Sequence, residues 1–457
     1  MIVVVGAGVA GLTVARLLRA RGYADVVVLE ARRAAGGRVR TVYDGDGDVA
    51  YEAGPWRVPS THARARALMR DAGVRLVPLR TPKLPEEDAK EEENQRGLTT
   101  WDANALAARD PRVADALDLA TGYADETHSA QGSAPYQTDA PRYLLAPDGL
   151  TRAVRFLEGA CDDVRYDHRV VDVTRAHDEQ QSYSVHVRVR TGHNAFASHV
   201  LKCQALFVCV PPHVFREWTA LRAHARSVAC AVVPGELHHV YVQDARFPRG
   251  VHVREPRALA AQIVSSQYPA SDWFQASYSG GRLARLWHHL RLSDPARFWR
   301  VLRAEVARWT GVRLDPHAPH RSHHWPVAYH AWRAVPHFDL DKAVRYAVEP
   351  NPLDLPHLYV AGEAFSSHQA WIEGALETAA RAVAAFVRPP PQERARGAAS
   401  DAALIVNGRV LDVAAWARVH PGGAAPLRAH LHEDVTPLLR HLGHSDHAWA
   451  VAHSLKR

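Results

Sequence analysis

Ile2-Val3-Val4-Val5-Gly6-Ala7-Gly8-Val9-Ala10-Gly11 decides the fold. Four β-branched apolar residues read as a short buried strand, and three glycines then punctuate a turn that opens a helix. Gly6 permits the tight turn, Gly8 lets the backbone approach a pyrophosphate, and Gly11 lets helix and strand pack closely. Helical periodicity continues through Leu12, Ala15, Leu17 and Leu18 and stops near Gly22. A second apolar strand, Val26 to Leu29, ends in Glu30. That acid follows the glycines by about 20 residues, the interval at which a strand-end carboxylate accepts hydrogen bonds from an adenosine ribose. The intervening helix N-terminus favours phosphate charge.

The 457 residues are 47% hydrophobic and 23% charged, a globular composition with room for two or three cores of roughly 150 residues each. The formal charge of +7 comes from scattered arginines, with lysine only at Lys83, Lys90, Lys202, Lys342 and Lys456. Such dispersed charge is solvated surface, which argues against nucleic acid as a partner and leaves acidic small molecules open. The four cysteines, Cys161, Cys203, Cys209 and Cys230, lack Cys-x-x-Cys spacing and read as buried thiols in a reducing compartment. Met1 to Ala15 has no basic leader and is interrupted by glycines, so it does not read as a signal peptide. No stretch reaches the roughly 18 apolar residues of a membrane span. The expectation is a soluble, cytoplasmic protein.

Further along, the charged run Pro85 to Asn94 reads as a solvated loop. Alternation from Arg169 to Val189 predicts an antiparallel meander, and Ala205 to Val210 a buried strand stopped by Pro211-Pro212. Leu358 to Val360 reads as a short strand and Gly374 to Val387 as an apolar-faced helix. Arg388-Pro389-Pro390-Pro391, followed by small and polar residues to Ser400, marks a semi-rigid spacer. The division predicted is 1–388, a linker at 389–400, and a small domain at 401–457.

The continuation Glu30-Ala31-Arg32-Arg33-Ala34-Ala35-Gly36-Gly37-Arg38-Val39-Arg40-Thr41 resembles the flavin-containing amine oxidase family. So does Leu358-Tyr359-Val360-Ala361-Gly362-Glu363 with Trp371-Ile372-Glu373-Gly374-Ala375. The resemblance implies an α/β chain, with a Rossmann-like FAD-binding domain at about 1–60, 160–230 and 350–388 interleaved with an α+β substrate domain at about 61–159 and 231–349. It also implies that Gly37 and Arg38 line the pyrophosphate and that Glu363 contacts the ribityl-pyrophosphate part. Ile372 would offer its backbone to the flavin ring, and Val170 its backbone to adenine. No cysteine lies between Ala361 and Trp371, so FAD is expected to bind without a covalent bond.

Tyr51-Glu52-Ala53-Gly54-Pro55-Trp56-Arg57-Val58-Pro59-Ser60-Thr61-His62 resembles the L-amino-acid oxidase branch, which assigns Arg57 to the substrate carboxylate. A guanidinium grips a carboxylate bidentately and cannot lose its charge. Trp371 would wall the substrate slot, preceded by Ala370 where relatives carry glycine. Where the family places a lysine near the flavin, Leu237-His238-His239-Val240 offers His239, which could orient water. The chemistry implied is hydride transfer from Cα to flavin, giving an imino acid that hydrolyses to a 2-oxo acid and ammonia. Two other readings stand beside it: a polyamine or monoamine oxidase in which Arg57 has no substrate role, and a flavin and haem sensor without catalysis.

At the other end, Leu404 to Val413 reads as strand, Asn407-Gly408 turn and strand. Then come Trp416, His420-Pro421-Gly422-Gly423, Glu433-Asp434-Val435-Thr436 and His444. This segment is similar to cytochrome b5, a small α+β domain, and the resemblance implies haem b held between His420 and His444. Two imidazoles leave iron no vacant position, which favours electron transfer over oxygen activation. Electrons would pass from FAD to the fused haem, to O2, or to a redox partner protein.

Overall fold

In the computed structural model, the described residues are 1–79, 143–178, 181–229, 231–254, 258–332, 340–350, 355–387, 403–407, 409–413 and scattered positions from 416 to 439. The Pro85 to Asn94 run and the proline-rich spacer lie outside them. The chain forms two compact units, Met1–Val348 with Tyr359–Val383, and Glu349–Leu358 with Ala384–Arg457.

The first unit opens with the strand Ile2–Val5, whose four residues are all buried, and the helix Val9–Arg19. Complete burial of a Val or Ile side chain contributes about 1.5–3 kcal/mol, so the sequence run that predicts this strand also fixes it at the sheet centre. Leu358–Val360, Ala205–Val208, Ile2–Val5, Val26–Leu29 and Asp163–Arg165 form a five-stranded sheet in that order. Ile2–Val5 pairs parallel with both neighbours, and Val26–Leu29 parallel with Asp163–Arg165. Crossovers from distant parts of the chain thus converge on one sheet, as an α/β architecture requires.

The predicted meander has three strands, His168–Asp178, Gln181–Arg190 and Phe196–Cys203, paired antiparallel. The third escapes sequence reading because most of its side chains are exposed and leave no clear alternation. The strand Ala205–Val208 ends two residues earlier than expected, and a helical turn starts at Pro212. Cys203 is buried as expected, whereas Cys161, just beyond the helix Thr151–Gly159, and Cys209 are only half-buried. Cys230 lies outside the described residues.

A second five-stranded sheet has the order His252–Arg254, Gln262–Val264, Trp273–Gly280, Val232–Gln243, His320–Trp332. Helices Gly281–Ser293 and Pro295–Thr310 accompany it, and Val240, Val242, Phe274, Trp287, Phe298, Leu302 and Val306 share one core. Pro295–Thr310 carries its own boundary signals. Asp294 caps it by accepting from the Arg297 N–H at 2.9 Å, Pro295 is its first residue, and Gly311 closes it at φ +74°.

The second unit holds the hairpin Ala403–Val406 and Arg409–Asp412, turning at Asn407 with φ +52°. Leu404, Val406, Leu411, Val413 and Val435 form its buried core, with Leu427, Leu431 and Leu439 against them. Asn407 donates its N–H to Thr436 Oγ1 at 2.6 Å, so part of the Glu433 to Thr436 stretch ties down the turn.

Candidate active site

The dinucleotide cradle is built from backbone. A Cβ on Gly11 would sit 1.9 Å from the Gly6 carbonyl oxygen, and one on Gly6 would meet the Cys209 carbonyl at 2.8 Å. A Cβ on Gly8 would meet nothing within 4 Å, so this glycine presents bare backbone to an approaching group. The helix that follows has no side-chain cap and no acid in its first turn, which leaves its N–H groups to an anion. Glu30 is buried, accepts from the Ala7 and Arg32 N–H groups at 2.9 Å, and thereby closes the turn onto the strand end. His168 N–H donates to the Glu30 carbonyl at 2.8 Å, which brings the strand of Val170 alongside.

Gly36 bridges to Gly8 and donates its N–H to the Ala7 carbonyl at 2.8 Å, and a Cβ on Gly37, at φ +60°, would sit 3.5 Å from the Gly8 Cα, so the second glycine motif lies directly on the first. Arg38 leads across the unit to Glu363 at 2.6 Å. The same Glu363 oxygen is 2.7 Å from His330 Nδ1, and the other accepts from the Ala370 N–H at 2.9 Å. Burial alone would raise this carboxyl, but the Arg38 charge and the charge and hydrogen bonds of His330 hold it well below the usual range. Glu363 is therefore a fixed anion that holds Arg38. Ala370 adopts φ +64°, a conformation that disfavours any residue with a Cβ. Ala370→Gly is expected to raise stability by about 0.5–1 kcal/mol, read as a higher melting temperature.

Three residues bring the proposed substrate contacts together. The Arg57 guanidinium lies 4.4 Å from the Tyr143 ring centroid and 5.2 Å from that of Trp56. Tyr143 stacks on Trp371, with centroids 6.2 Å apart and an interplanar angle of 15°. His62 stands edge-on to Trp371 at 5.2 Å, and burial, with His368 adding to it, pushes its imidazole down to about 4 despite nearby Glu373. It is neutral at physiological pH and resists protonation. Ile372 opens the helix Ile372–Phe386 immediately after Trp371.

His239 is not part of this group among the described contacts. It is buried in the strand Val232–Gln243, 4.7 Å from Tyr278, and burial followed by His323 pushes it down to about 3. Neither ring nitrogen has a hydrogen-bond partner among the described residues. Its neighbour His238 points to the opposite face of the strand, into a histidine cluster: His288 stacks on His324 at 3.7 Å, His238 lies 6.1 Å from His324, and Glu236 holds His324 Nε2 at 2.6 Å.

Sequence reading missed His62, Tyr143 and His330. His62 stands in a quoted motif, but only the fold shows its contact with Trp371. Nothing local distinguishes His330 among 29 histidines. In the second unit, His420 is half-buried with the Trp416 ring edge-on at 5.8 Å, an apolar flank suited to a porphyrin. His444 lies outside the described residues.

A family model for flavin containing amine oxidoreductases matches residues 9–136 and 133–386. The chain belongs to this family. A model for cytochrome b5-like haem/steroid binding domains matches residues 392–456. Short stretches resemble L-amino-acid oxidases, at 44% identity over 75 residues with that of Gloydius halys and 42% over 77 residues with that of Siganus canaliculatus. These cover 16% and 17% of this chain and only 15% and 14% of those relatives. The fold resembles a solved cofactor-redesign variant of putrescine oxidase, with TM-score 0.64 and 16% identity over 84% of this chain and 98% of that one. An amine oxidoreductase of this family uses FAD, and the C-terminal domain implies haem. The glycine cradle and Glu30 fit FAD, with bare backbone for the pyrophosphate and a buried carboxylate for the ribose. Among the described residues no helix is long and apolar enough to cross a membrane.

Proposed function

We propose that this amine oxidoreductase oxidises an L-amino acid at Cα to the imino acid. The reading rests on one observation: Arg57, Tyr143 and Trp371 form a continuous stack, so a fixed guanidinium stands beside an aromatic wall. Arg57 takes the carboxylate through a two-point contact, Trp371 limits the side chain, and the substrate reacts as its neutral amine, the ammonium proton having passed to solvent before the hydride leaves. Bound FAD supplies the hydride acceptor. Gly6, Gly8, Gly11, Glu30, Gly37 and Arg38 hold it without a covalent bond, with backbone contacts from Val170 and Ile372. Glu363 acts by orienting Arg38. Anaerobic mixing with a substrate panel tests this reading. L-Amino acids are expected to bleach the flavin absorbance; bleaching by carboxylate-free amines alone would overturn it.

We further propose that electrons leave through haem b held by His420 and His444, or reach O2 directly. His420→Ala is expected to abolish low-spin haem uptake, read as loss of the Soret band at unchanged flavin content. Full haem retention in both His420→Ala and His444→Ala contradicts the assignment.

A further inference from the structure

A narrow pocket lies between the strand Val49–Glu52 and the strands Val232–Gln243 and Trp273–Gly280, its free space of about 330 Å³ counted together with the open solvent at its mouth. Tyr51, Trp56, Tyr241, Tyr268 and Trp273 line it, together with Glu52. The rings form a connected wall: Tyr51 stacks on Tyr241 at 4.0 Å and lies 5.3 Å from Trp273. Glu52 is 1% exposed. Its Oε1 accepts from Thr41 Oγ1 at 2.9 Å and from the Leu150 N–H at 2.7 Å. Its Oε2 is buried and has no partner among the described residues, and the same holds for the Tyr268 hydroxyl. A buried carboxyl oxygen left unmatched is costly, so native structures provide such atoms with a partner. Aromatic faces around one carboxylate suit an organic cation, which gains from the ring quadrupoles and the counter-charge together.

We propose that this cavity binds an organic ammonium group, with Glu52 as counter-ion and the five rings as its cage. Trp56 is shared between the cage and the Arg57 contact at 5.2 Å. Resting on the amino-acid reading above, the cage selects substrates whose side chain ends in a cation, while Arg57 takes the carboxylate.

Burial holds the Glu52 carboxyl up at about 8, against the pull of the Leu150 N–H and the Thr41 hydroxyl. The facing titratable groups are the phenols of Tyr51, Tyr241 and Tyr268, all raised first by burial and therefore neutral. Arg40 and Arg321 act on Tyr51. Proton binding to folded Glu52 thus stabilises the fold fully below the unfolded carboxyl value, and this contribution is lost as pH rises through about 8. A cation entering the cage displaces that proton, so its affinity rises over the same interval.

The test uses the FAD-loaded full chain, anaerobically, titrated calorimetrically with n-propylammonium and with 1-propanol as the uncharged control. Saturable ammonium binding is expected, roughly tenfold tighter at pH 9 than at pH 6, and weakened roughly tenfold in Glu52→Gln. Tyr268→Phe, a milder change, is expected to weaken it less and serves if Glu52→Gln does not fold. Equal binding of 1-propanol, or ammonium affinity unchanged in the folded variants, overturns the cage. In turnover, L-lysine is expected to exceed L-norleucine in kcat/KM by roughly tenfold, a gap that Glu52→Gln closes. Equal turnover of the two overturns the substrate class. Flavin reduction by neither overturns the amino-acid reading instead, while the titration still judges the cage.

Discussion

Replacing Arg57 with alanine is expected to lower kcat/KM for L-amino acids by roughly a hundredfold, about 3 kcal/mol of lost transition-state binding. The guanidinium is held on the Tyr143 face at 4.4 Å, so it is oriented before substrate arrives. Lysine at this position keeps the charge but not the planar fork, so Arg57→Lys should fall between the two. The loss should appear mainly in KM, because the carboxylate does not change during the reaction. Steady-state rates with an L-amino acid and with a carboxylate-free amine check the assignment. An equal loss on both substrates contradicts a carboxylate contact and indicates a packing role.

Arg38→Ala is expected to destabilise the first unit by about 1.5–3 kcal/mol, the worth of hydrogen bonds to a charged group in a part-buried ion pair. Glu363 is 5% exposed and would be left with His330 and the Ala370 N–H as its partners. The Arg38 side chain also donates to the Ala328 carbonyl at 2.9 Å, so its removal frees a second acceptor. Chemical denaturation of the holoenzyme, with flavin release followed by fluorescence, measures both consequences. Arg38→Lys should recover part of the stability, since the ammonium can reach one acceptor but not span two. A loss below about 1 kcal/mol would place the pair among exposed bridges of little worth.

The parts of the fold legible in sequence are those fixed by neighbours along the chain. Val3 to Val5, Gly6, Gly8, Gly11 and Glu30 signal a strand, turn, helix and strand because each requirement acts within a few residues. Asp294, Pro295 and Gly311 likewise bound their helix locally. The site is less legible because its partners meet across long separations. Arg38 finds Glu363, and Arg57 reaches Trp371 only through Tyr143. Motif resemblance named four of these five residues, but no local rule pairs them, and Tyr143 lies outside every motif. His239 shows the converse: its place in a motif is plain in the sequence, while only the fold shows its ring buried against Tyr278.

The histidines of the second sheet carry a cost in acid that the active site does not reveal. His238 and His239 are pushed down to about 3, and His323 to about 4, by burial before any charge effect. An unfolded chain takes up protons at these rings below about pH 6.5 and the folded one does not, so acid draws all three toward the unfolded state. Mild acidification therefore weakens the scaffold itself, and sets a lower bound on the surroundings in which this enzyme endures.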